Sequence, residues 1–256
     1  MKPFIFWSLP LSLWIALSTV PAWATALAEI QQRGHLVVGV KDNLPPLGYR
    51  DTTGAFQGFE IDLAKRFAKA LFQSEQAIVF KPLRNVQRLT AVASGEVDMA
   101  IAGITLTENR QRMVSFSEPY YRSGTGLLST HSQWSSLQGL YRQTIAVLAP
   151  SVTLAYLKPR LPKATLVGVK SYREAQSRLD NAQVQAIAGD QVVLSHLAQQ
   201  NARYFFYPTA LTVQPLAIAL PKGVQHDSLQ QWVNRHLRDW KAEGWLENQR
   251  QRWRLP

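Results

Sequence analysis

The chain of 256 residues contains no cysteine. This absence excludes a disulfide scaffold, a thiolate metal site and a cysteine nucleophile. It also excludes attachment to a membrane through a lipid-modified N-terminal cysteine. Apart from the N-terminal leader, no stretch of sequence is apolar enough to predict a membrane span. The composition therefore predicts a protein that folds on its hydrophobic core alone.

Motifs of catalytic sites and basic runs typical of nucleic-acid binding are also rare in the sequence. The sequence has no HExxH, no GxSxG, no phosphate-binding glycine loop and no calcium loop, and its five histidines have no metal-ligand spacing. Neither a metal nor a cofactor is expected. The net charge is +11, but the basic residues are scattered, and only the C-terminal stretch RQRWR forms a run. A nucleic-acid partner is therefore not expected.

The N-terminal sequence is typical of an export signal. Lys2 precedes an apolar run, and small-x-small cleavage patterns end at Ala24 and at Ala28. A retained membrane anchor is the alternative, but the run is short for a bilayer span and contains Pro10. We expect residues 1–24 to be a signal peptide, cleaved near Ala24 or Ala28. The mature protein is expected in the periplasm, with free secretion as the alternative.

Short apolar runs alternate with amphipathic stretches along the rest of the chain. HLVVGV is typical of a buried strand, and GFEIDLAKRFAKALF places Phe59, Leu63, Phe67 and Ala70 on one helical face, with Glu60 among the residues on other faces. PLAIALPKG is predicted to be one strand, and the C-terminal tail is predicted to be one long helix. This alternation predicts an α/β fold.

Two such sections follow each other without a flexible linker, and the strand-like stretches GTGLLST and TVQPLAIAL bracket the second one. This arrangement predicts one lobe inserted into another. Lobe 1 is assigned to residues 29–121 and 215–256, and lobe 2 to residues 126–210. A hinge is expected near residues 121–125 and 211–215.

Four fragments in this order resemble one family. They are the opening LVVGVKDNLPPLGYRD…GAFQGFEIDLAKRFAKAL, the block LTAVASGEVDMAIAGITLTENRQRMVSFSEPYY, the pair AIAGDQVV and PLAIALPKG, and the end LRDWKAEGWLENQRQRW. They resemble the polar amino-acid-binding proteins of ABC transporters, family 3 of the periplasmic solute-binding proteins. The resemblance implies a two-lobed Venus-flytrap architecture, in which each lobe is a mostly parallel sheet flanked by helices. It also implies a free amino acid as ligand, an ABC transporter permease as partner and a monomeric protein.

The same resemblance assigns a carboxylate-binding residue. A guanidinium offers two parallel donors to a carboxylate, and Arg110 stands where the family has its ligand-binding arginine. Thr105 and Gly103 are expected to add contacts with the α-carboxylate of the ligand, Gly103 because it lets the ligand approach the main chain. A surface ion pair of Arg110 with Glu108 or Glu118 is the alternative.

The second lobe is expected to bind the other end of the ligand. Asp190 matches the family aspartate that holds the α-ammonium group, a contact to which Gly103 is also assigned; a helix cap is the alternative role of Asp190. Ser151 is expected to contact the α-carboxylate at a strand-to-helix turn. Pro150 stands where the family has glycine, which removes one amide donor from that turn.

By their positions in the family, the resemblance also implies that the side chain of the ligand meets Lys41, Arg88 and Leu44. Two cations in one pocket favour an acidic ligand, glutamate or aspartate, because like charges repel strongly in a desolvated site. The alternative is that Lys41 and Arg88 point into solvent. Because the same fold also carries enzymes, a cyclohexadienyl or arogenate dehydratase is the alternative to a non-catalytic binding protein.

Overall fold

The computed structural model describes residues 26–134, 137–207 and 211–256. The predicted signal peptide, residues 1–24, lies outside these residues. Ala28 lies in the first helix, α1 (Ala26–Arg33), which buries Ile30 in the core. In the described ranges, no helix has both the length and the apolar character needed to cross a membrane.

Lobe 1 begins with strands and helices in alternation. After α1, its elements are β1 (Leu36–Val40), β2 (Asn43–Leu44), β3 (Gly48–Arg50), β4 (Phe56–Gln57), α2 (Phe59–Phe72), β5 (Ile78–Pro82), α3 (Arg88–Ala93), β6 (Met99–Ile101), α4 (Glu108–Gln111) and β7 (Ser115–Phe116). The apolar runs of the sequence thus form strands, and α2 packs Phe59, Leu63 and Phe67 into the core, as its periodicity predicts.

Lobe 2 and the return to lobe 1 follow the same alternation. The elements are β8 (Tyr121–Ser129), β9 (Thr144–Leu148), α5 (Val152–Arg160), β10 (Thr165–Val169), α6 (Tyr172–Asp180), β11 (Ala186–Asp190), α7 (Gln191–Gln200), β12 (Phe205–Tyr207), β13 (Val213–Leu216), β14 (Ala219–Leu220), α8 (Asp227–Ala242) and α9 (Trp245–Arg252). Short 3₁₀ helices occupy Ser132–Trp134 and Val224–His226.

Each lobe is built on its own sheet. The order in lobe 1 is β5-β1-β6-β14-β7, with β1 parallel to β5 and β6 and with β14 antiparallel to its neighbours. The order in lobe 2 is β10-β9-β11-β8-β12, with β9 parallel to β10 and β11. The expected two-lobed α/β architecture is therefore confirmed. A functional site is expected where the carboxyl ends of such strands face the other lobe.

Two strands connect the lobes. β8 pairs antiparallel with β13 from Tyr121 opposite Leu216 to Gly124 opposite Val213. Further along, β8 pairs with β11 and β12 in the sheet of lobe 2. β8 and β13 thus occupy the segments predicted as crossings near residues 121–125 and 211–215, and the hinge motion itself stays a prediction.

Two predicted elements differ from the structure. The C-terminal tail forms two helices, α8 and α9, because Gly244 between them takes a positive φ of 75°, which the α-helix excludes. The stretch PLAIALPKG does not form one strand: its first residues end β13, and β14 is a separate strand in the sheet of lobe 1.

Glu60 also departs from its prediction. Our prediction places it on a face of α2 other than the apolar one, whereas the structure buries it completely in the first turn of that helix. Its carboxylate accepts hydrogen bonds from the N–H of Gly103, at 2.8 Å, and from the hydroxyl of Tyr120. These two donors compensate in part for the loss of water around a buried carboxylate.

Candidate functional site

A small polar cavity of about 60 Å³ lies where the two lobes face each other. Both lobes and the connecting strand β13 supply its walls, which are formed by Leu44, Asn85, Arg88, Gly103, Thr105, Arg110, Leu148, Pro150, Ser151, Thr153, Tyr172, Asp190 and Gln214. Seven of the eight predicted site residues are among them. Lys41 is not.

Arg110 extends from α4 into the cavity. Its backbone N–H is capped by the hydroxyl of Thr107 at 3.4 Å, and its Nη1 donates to the carbonyl of Thr105 at 2.8 Å. Burial lowers the pKa of Arg110 from its usual value. Among the described residues Arg110 forms no ion pair, and Glu118, one expected surface partner, pairs instead with Arg238. The guanidinium is thus oriented by one carbonyl and keeps donors for an anionic group.

Asp190 lies at the opposite wall, at the end of β11. Its Oδ1 accepts hydrogen bonds from the hydroxyl of Ser123, at 2.7 Å, and from the N–H of Val192, at 2.9 Å, so it caps α7. Its own N–H donates to the hydroxyl of Tyr172 at 2.6 Å. Burial raises the pKa of Asp190 to about 6. A cationic group in the cavity would stabilise the ionised carboxylate.

Gly103 takes a positive φ of 60° at the floor of the cavity. A Cβ atom there would lie 2.9 Å from a methyl carbon of Leu44, so glycine suits both the backbone conformation and the close approach of Leu44. The N–H of Gly103 was expected to serve the ligand, but it donates to Glu60. Its carbonyl, expected on the ammonium group, accepts from Nη1 of Arg88 at 2.9 Å. Both polar groups of Gly103 therefore have protein partners.

Thr105 and Gln214 connect the floor of the cavity with the other lobe. The Thr105 hydroxyl donates to Oε1 of Gln214 at 3.4 Å, and Nε2 of Gln214 donates to the hydroxyl of Thr125 at 2.7 Å and to that of Thr153 at 3.4 Å. Thr105 belongs to lobe 1, Thr153 to α5 of lobe 2, and Gln214 to β13. A single buried amide thus joins both lobes beside the cavity.

The two cations predicted for the ligand side chain occupy different places. Arg88 is buried at the cavity wall, with Nη1 donating to the carbonyl of Ala102 at 2.7 Å. Burial and the neighbouring Arg110 lower the pKa of Arg88 to about 10. Lys41 is also buried, but its Nζ donates to the carbonyl of Leu83 at 3.0 Å and does not line the cavity. Burial and the charge of Arg88 lower the pKa of Lys41 to about 8. Neither side chain points into solvent.

Ser151 begins α5 at the rim contributed by lobe 2. Its hydroxyl accepts from the N–H of Leu154 at 3.1 Å and so caps the helix. The preceding Ala149–Pro150 peptide bond is cis. The cap uses the acceptor side of the Ser151 hydroxyl, and its proton can still be donated to an anion at this helix N-terminus.

Five polar residues at or behind the cavity were not predicted: Asn85, Thr153, Tyr172 and Gln214 in the wall, and Glu60 behind it. A signal for Glu60 existed, since Glu60, Leu63, Ala64 and Phe67 follow the i, i+3, i+4, i+7 spacing of one helical face. The four wall residues carry no comparable local signal.

A larger groove of about 500 Å³ lies on the outer side of lobe 1, between α2 and the C-terminal helices. Its charged side chains are largely paired with one another: Arg66 with Glu243 at 2.7 Å, Lys69 with Glu75 at 3.5 Å, and Arg252 with Asp62 at 3.4 Å. Paired surface charges give little to a ligand. The cavity between the lobes is the better candidate.

Comparison with known proteins identifies the family to which the chain belongs. A sequence model of the bacterial extracellular solute-binding proteins, family 3, matches residues 36–256. The chain therefore belongs to this family, which confirms the resemblance seen in the sequence.

Individual relatives span most of the chain. The ABC transporter glutamine-binding protein GlnH of Bacillus subtilis is 28% identical over 89% of this chain and 84% of its own length. A glutamine-binding protein of Geobacillus stearothermophilus is 30% identical over 80% of this chain and 79% of its own length. The crystal structure of the ancestral amino acid-binding protein AncCDT-1, a precursor of cyclohexadienyl dehydratase, is 28% identical, covers 90% of this chain and 99% of its own, and has a TM-score of 0.83.

Proposed function

We propose that this protein binds a free amino acid with an acidic or amide side chain between its two lobes and delivers it to an ABC transporter permease. One observation carries the proposal: the guanidinium of Arg110 and the carboxylate of Asp190 line one cavity from opposite lobes. An α-amino acid offers the complementary pair of charges, a carboxylate and an ammonium group.

In the proposed binding mode, each charged group of the ligand backbone has one protein side chain of opposite charge as its partner. Arg110 pairs with the α-carboxylate, supported by the hydroxyl of Ser151 at the start of α5. Asp190 accepts the α-ammonium group. Because the two partners belong to different lobes, both ends of the ligand are satisfied only when the lobes are closed around it. The ligand therefore stabilises the closed form, with β8 and β13 as the hinge.

The polar side chains that line the cavity favour a ligand side chain with an oxygen that accepts hydrogen bonds. Within the described residues the cavity wall carries one carboxylate, that of Asp190, so a cationic side chain would lack a counter-charge. Arg88 and Asn85 supply donors that suit a carboxylate or a carboxamide oxygen. The preference for glutamate or aspartate stays a prediction. The position of Lys41 outside the wall and the two glutamine-binding relatives support amides as equal candidates.

A dehydratase on this fold is the second candidate, because the AncCDT-1 structure is described as a precursor of cyclohexadienyl dehydratase. A prephenate-like diacid has no ammonium group, so it would leave the buried carboxylate of Asp190 without a cation. Arogenate keeps its ammonium group, so this argument disfavours prephenate alone. The two relatives described as glutamine-binding proteins favour a non-catalytic binding protein, and we further propose that it is exported and monomeric. Incubation of the purified protein with arogenate and with prephenate tests the alternative, and turnover of either would establish it.

Isothermal titration of the purified mature protein with the twenty amino acids tests the main proposal. We expect binding of at least one of glutamate, aspartate, glutamine and asparagine, and no binding of arginine or lysine. Binding of arginine or lysine without any response to these four would refute the assignment of the side-chain pocket.

A further inference from the structure

The carboxylate of Glu60 lies directly behind the cavity floor. The residue is 0% exposed, and Oε1 accepts from the N–H of Gly103 and from the hydroxyl of Tyr120. Oε2 is buried and has no hydrogen-bond partner among the described residues. A carboxylate with one unsatisfied buried oxygen is costly to keep ionised. Packing alone therefore does not explain why a glutamate occupies this position.

Glu60 and Arg88 hold the same residue from two sides. Glu60 binds the N–H of Gly103 at 2.8 Å, and Arg88 binds its carbonyl at 2.9 Å. The two opposite charges are thus separated by roughly the width of one residue's backbone. Arg88 lines the cavity, whereas Glu60 does not. The charge that a ligand side chain meets at this wall therefore depends on both groups.

The two protonation states of Glu60 give the cavity wall two different net charges. When Glu60 is ionised, its negative charge offsets the positive charge of Arg88, and the cavity wall suits a neutral carboxamide. When Glu60 is protonated, the positive charge of Arg88 is uncompensated, and the wall suits a carboxylate. Such charges act strongly on each other in a site shielded from water.

Resting on the proposed function, we propose that Glu60 is a positioning residue that determines specificity: through Arg88, its charge sets the balance between acidic and amide ligands. The observation behind this proposal is the backbone of Gly103, which Glu60 and Arg88 bind from opposite sides. Glu60 itself does not touch the ligand.

Four charged or titratable groups face Glu60. Burial raises the pKa of Glu60 to about 7, the hydrogen bonds from Tyr120 and Gly103 and the charge of Arg88 oppose this rise, and Asp190 adds to it. The ammonium group of Lys41 also faces Glu60, whose negative charge opposes part of the lowering of the lysine pKa by burial and by Arg88. Glu60 therefore changes its charge near neutral pH, whereas Arg88 stays charged.

The sign of the pH effect follows from linkage. An anionic ligand side chain raises the pKa of Glu60, so acidic ligands bind more tightly when Glu60 is protonated and less tightly as the pH rises through 7. A rise of one pKa unit corresponds to a tenfold change in affinity. Asp190 meets the same ammonium group in glutamate and in glutamine, so its own titration cancels in the ratio of the two affinities.

Titration calorimetry with glutamate and with glutamine between pH 5.5 and pH 8.5, with the full mature protein, tests the proposal. We expect the affinity ratio of glutamate to glutamine to fall about tenfold across this range in the unchanged protein. Glu60→Gln should hold the ratio near its low-pH value up to about pH 7, above which Lys41, whose pKa is lowered to about 8, also loses its charge. Asp62→Asn is the matched control, because Asp62 lies on the same helix but binds Trp253 and Arg252 outside the cavity. It should keep the pH-dependent ratio.

Tyr120→Phe is a second variant that leaves the charge in place. It removes a donor that lowers the pKa of Glu60, so the midpoint of the pH profile should move upward. An affinity ratio that does not change with pH in the unchanged protein, or one that falls as much in Glu60→Gln as in the unchanged protein, would overturn the proposal. If only aspartate or asparagine binds, the same affinity ratio is measured with that pair. If none of the four amino acids binds at any pH, the proposed function fails and this inference fails with it.

Discussion

Replacement of Arg110 tests the binding mode most directly. In the ligand-free protein the side chain contributes one hydrogen bond, from Nη1 to the carbonyl of Thr105. Its loss should cost the fold about 1 kcal/mol. Removal of the charge also relieves the repulsion that lowers the pKa of Arg88. The variant Arg110→Ala should therefore fold with nearly unchanged stability.

The effect on binding should be much larger. Without Arg110, the α-carboxylate of the ligand would be buried without a partner, which costs about 3–5 kcal/mol. This corresponds to a loss of affinity between roughly 100-fold and 4,000-fold. Arg110→Lys keeps the charge but not the two parallel donors, and should cost about 1.5–3 kcal/mol, or roughly 10- to 100-fold.

Isothermal titration with the best ligand, together with thermal unfolding without ligand, separates the two effects. Arg112→Ala is the matched control, because Arg112 follows in the same segment and is exposed. It removes the same net charge and should bind as the unchanged protein does. If Arg110→Ala retains affinity within threefold, or if Arg112→Ala loses as much affinity, the binding mode is wrong.

Three further changes test other parts of the site. Asp190→Asn should weaken ligand binding at least tenfold in calorimetry. Because burial raises the pKa of Asp190 from 3.8 to about 6, this group contributes a loss of stability on the order of 3 kcal/mol as the pH rises through this window; in urea unfolding the variant should lose less stability than the unchanged protein by about this amount and keep the loss that Glu60 contributes. Gln214→Leu leaves the hydroxyls of Thr125 and Thr153 without their amide partner and should lower the free energy of unfolding by about 1–3 kcal/mol; unchanged stability would contradict its role between the lobes. Gly103→Ala forces a side chain into a positive φ and against Leu44, and should cost about 1–2 kcal/mol in the same assay.

Arg110 and Asp190 could be assigned to a site because each lies in one of the fragments that resemble the family, beyond or at the end of a strand. Arg110 lies a few residues beyond β6, and Asp190 ends β11. Such positions are fixed by local chain geometry once the fold is known. Their pairing with a ligand stays a prediction, although both side chains line one cavity.

The surroundings of Lys41 and Glu60 could not be predicted in this way. Lys41 turns to the carbonyl of Leu83, 42 residues further on, and Glu60 turns to Gly103 and Tyr120, 43 and 60 residues further on. These contacts join segments that are distant in the sequence. A charged residue next to an apolar helical face was assumed to be exposed, because the sequence does not show that its hydrogen-bond partners exist.

In the proposed mechanism, the charged groups that bind the ligand also oppose closure of the lobes when no ligand is present. Around the cavity, burial raises the pKa of Asp190 and lowers the pKa of Arg88 and of Arg110. Each shift measures a cost of holding an ionised group away from water. A zwitterion offers a cation to Asp190 and an anion to Arg110, so it removes much of this cost at once. In the proposed mechanism, an empty protein therefore favours the open form, and closure, the state a permease would recognise, reports that the cavity is occupied.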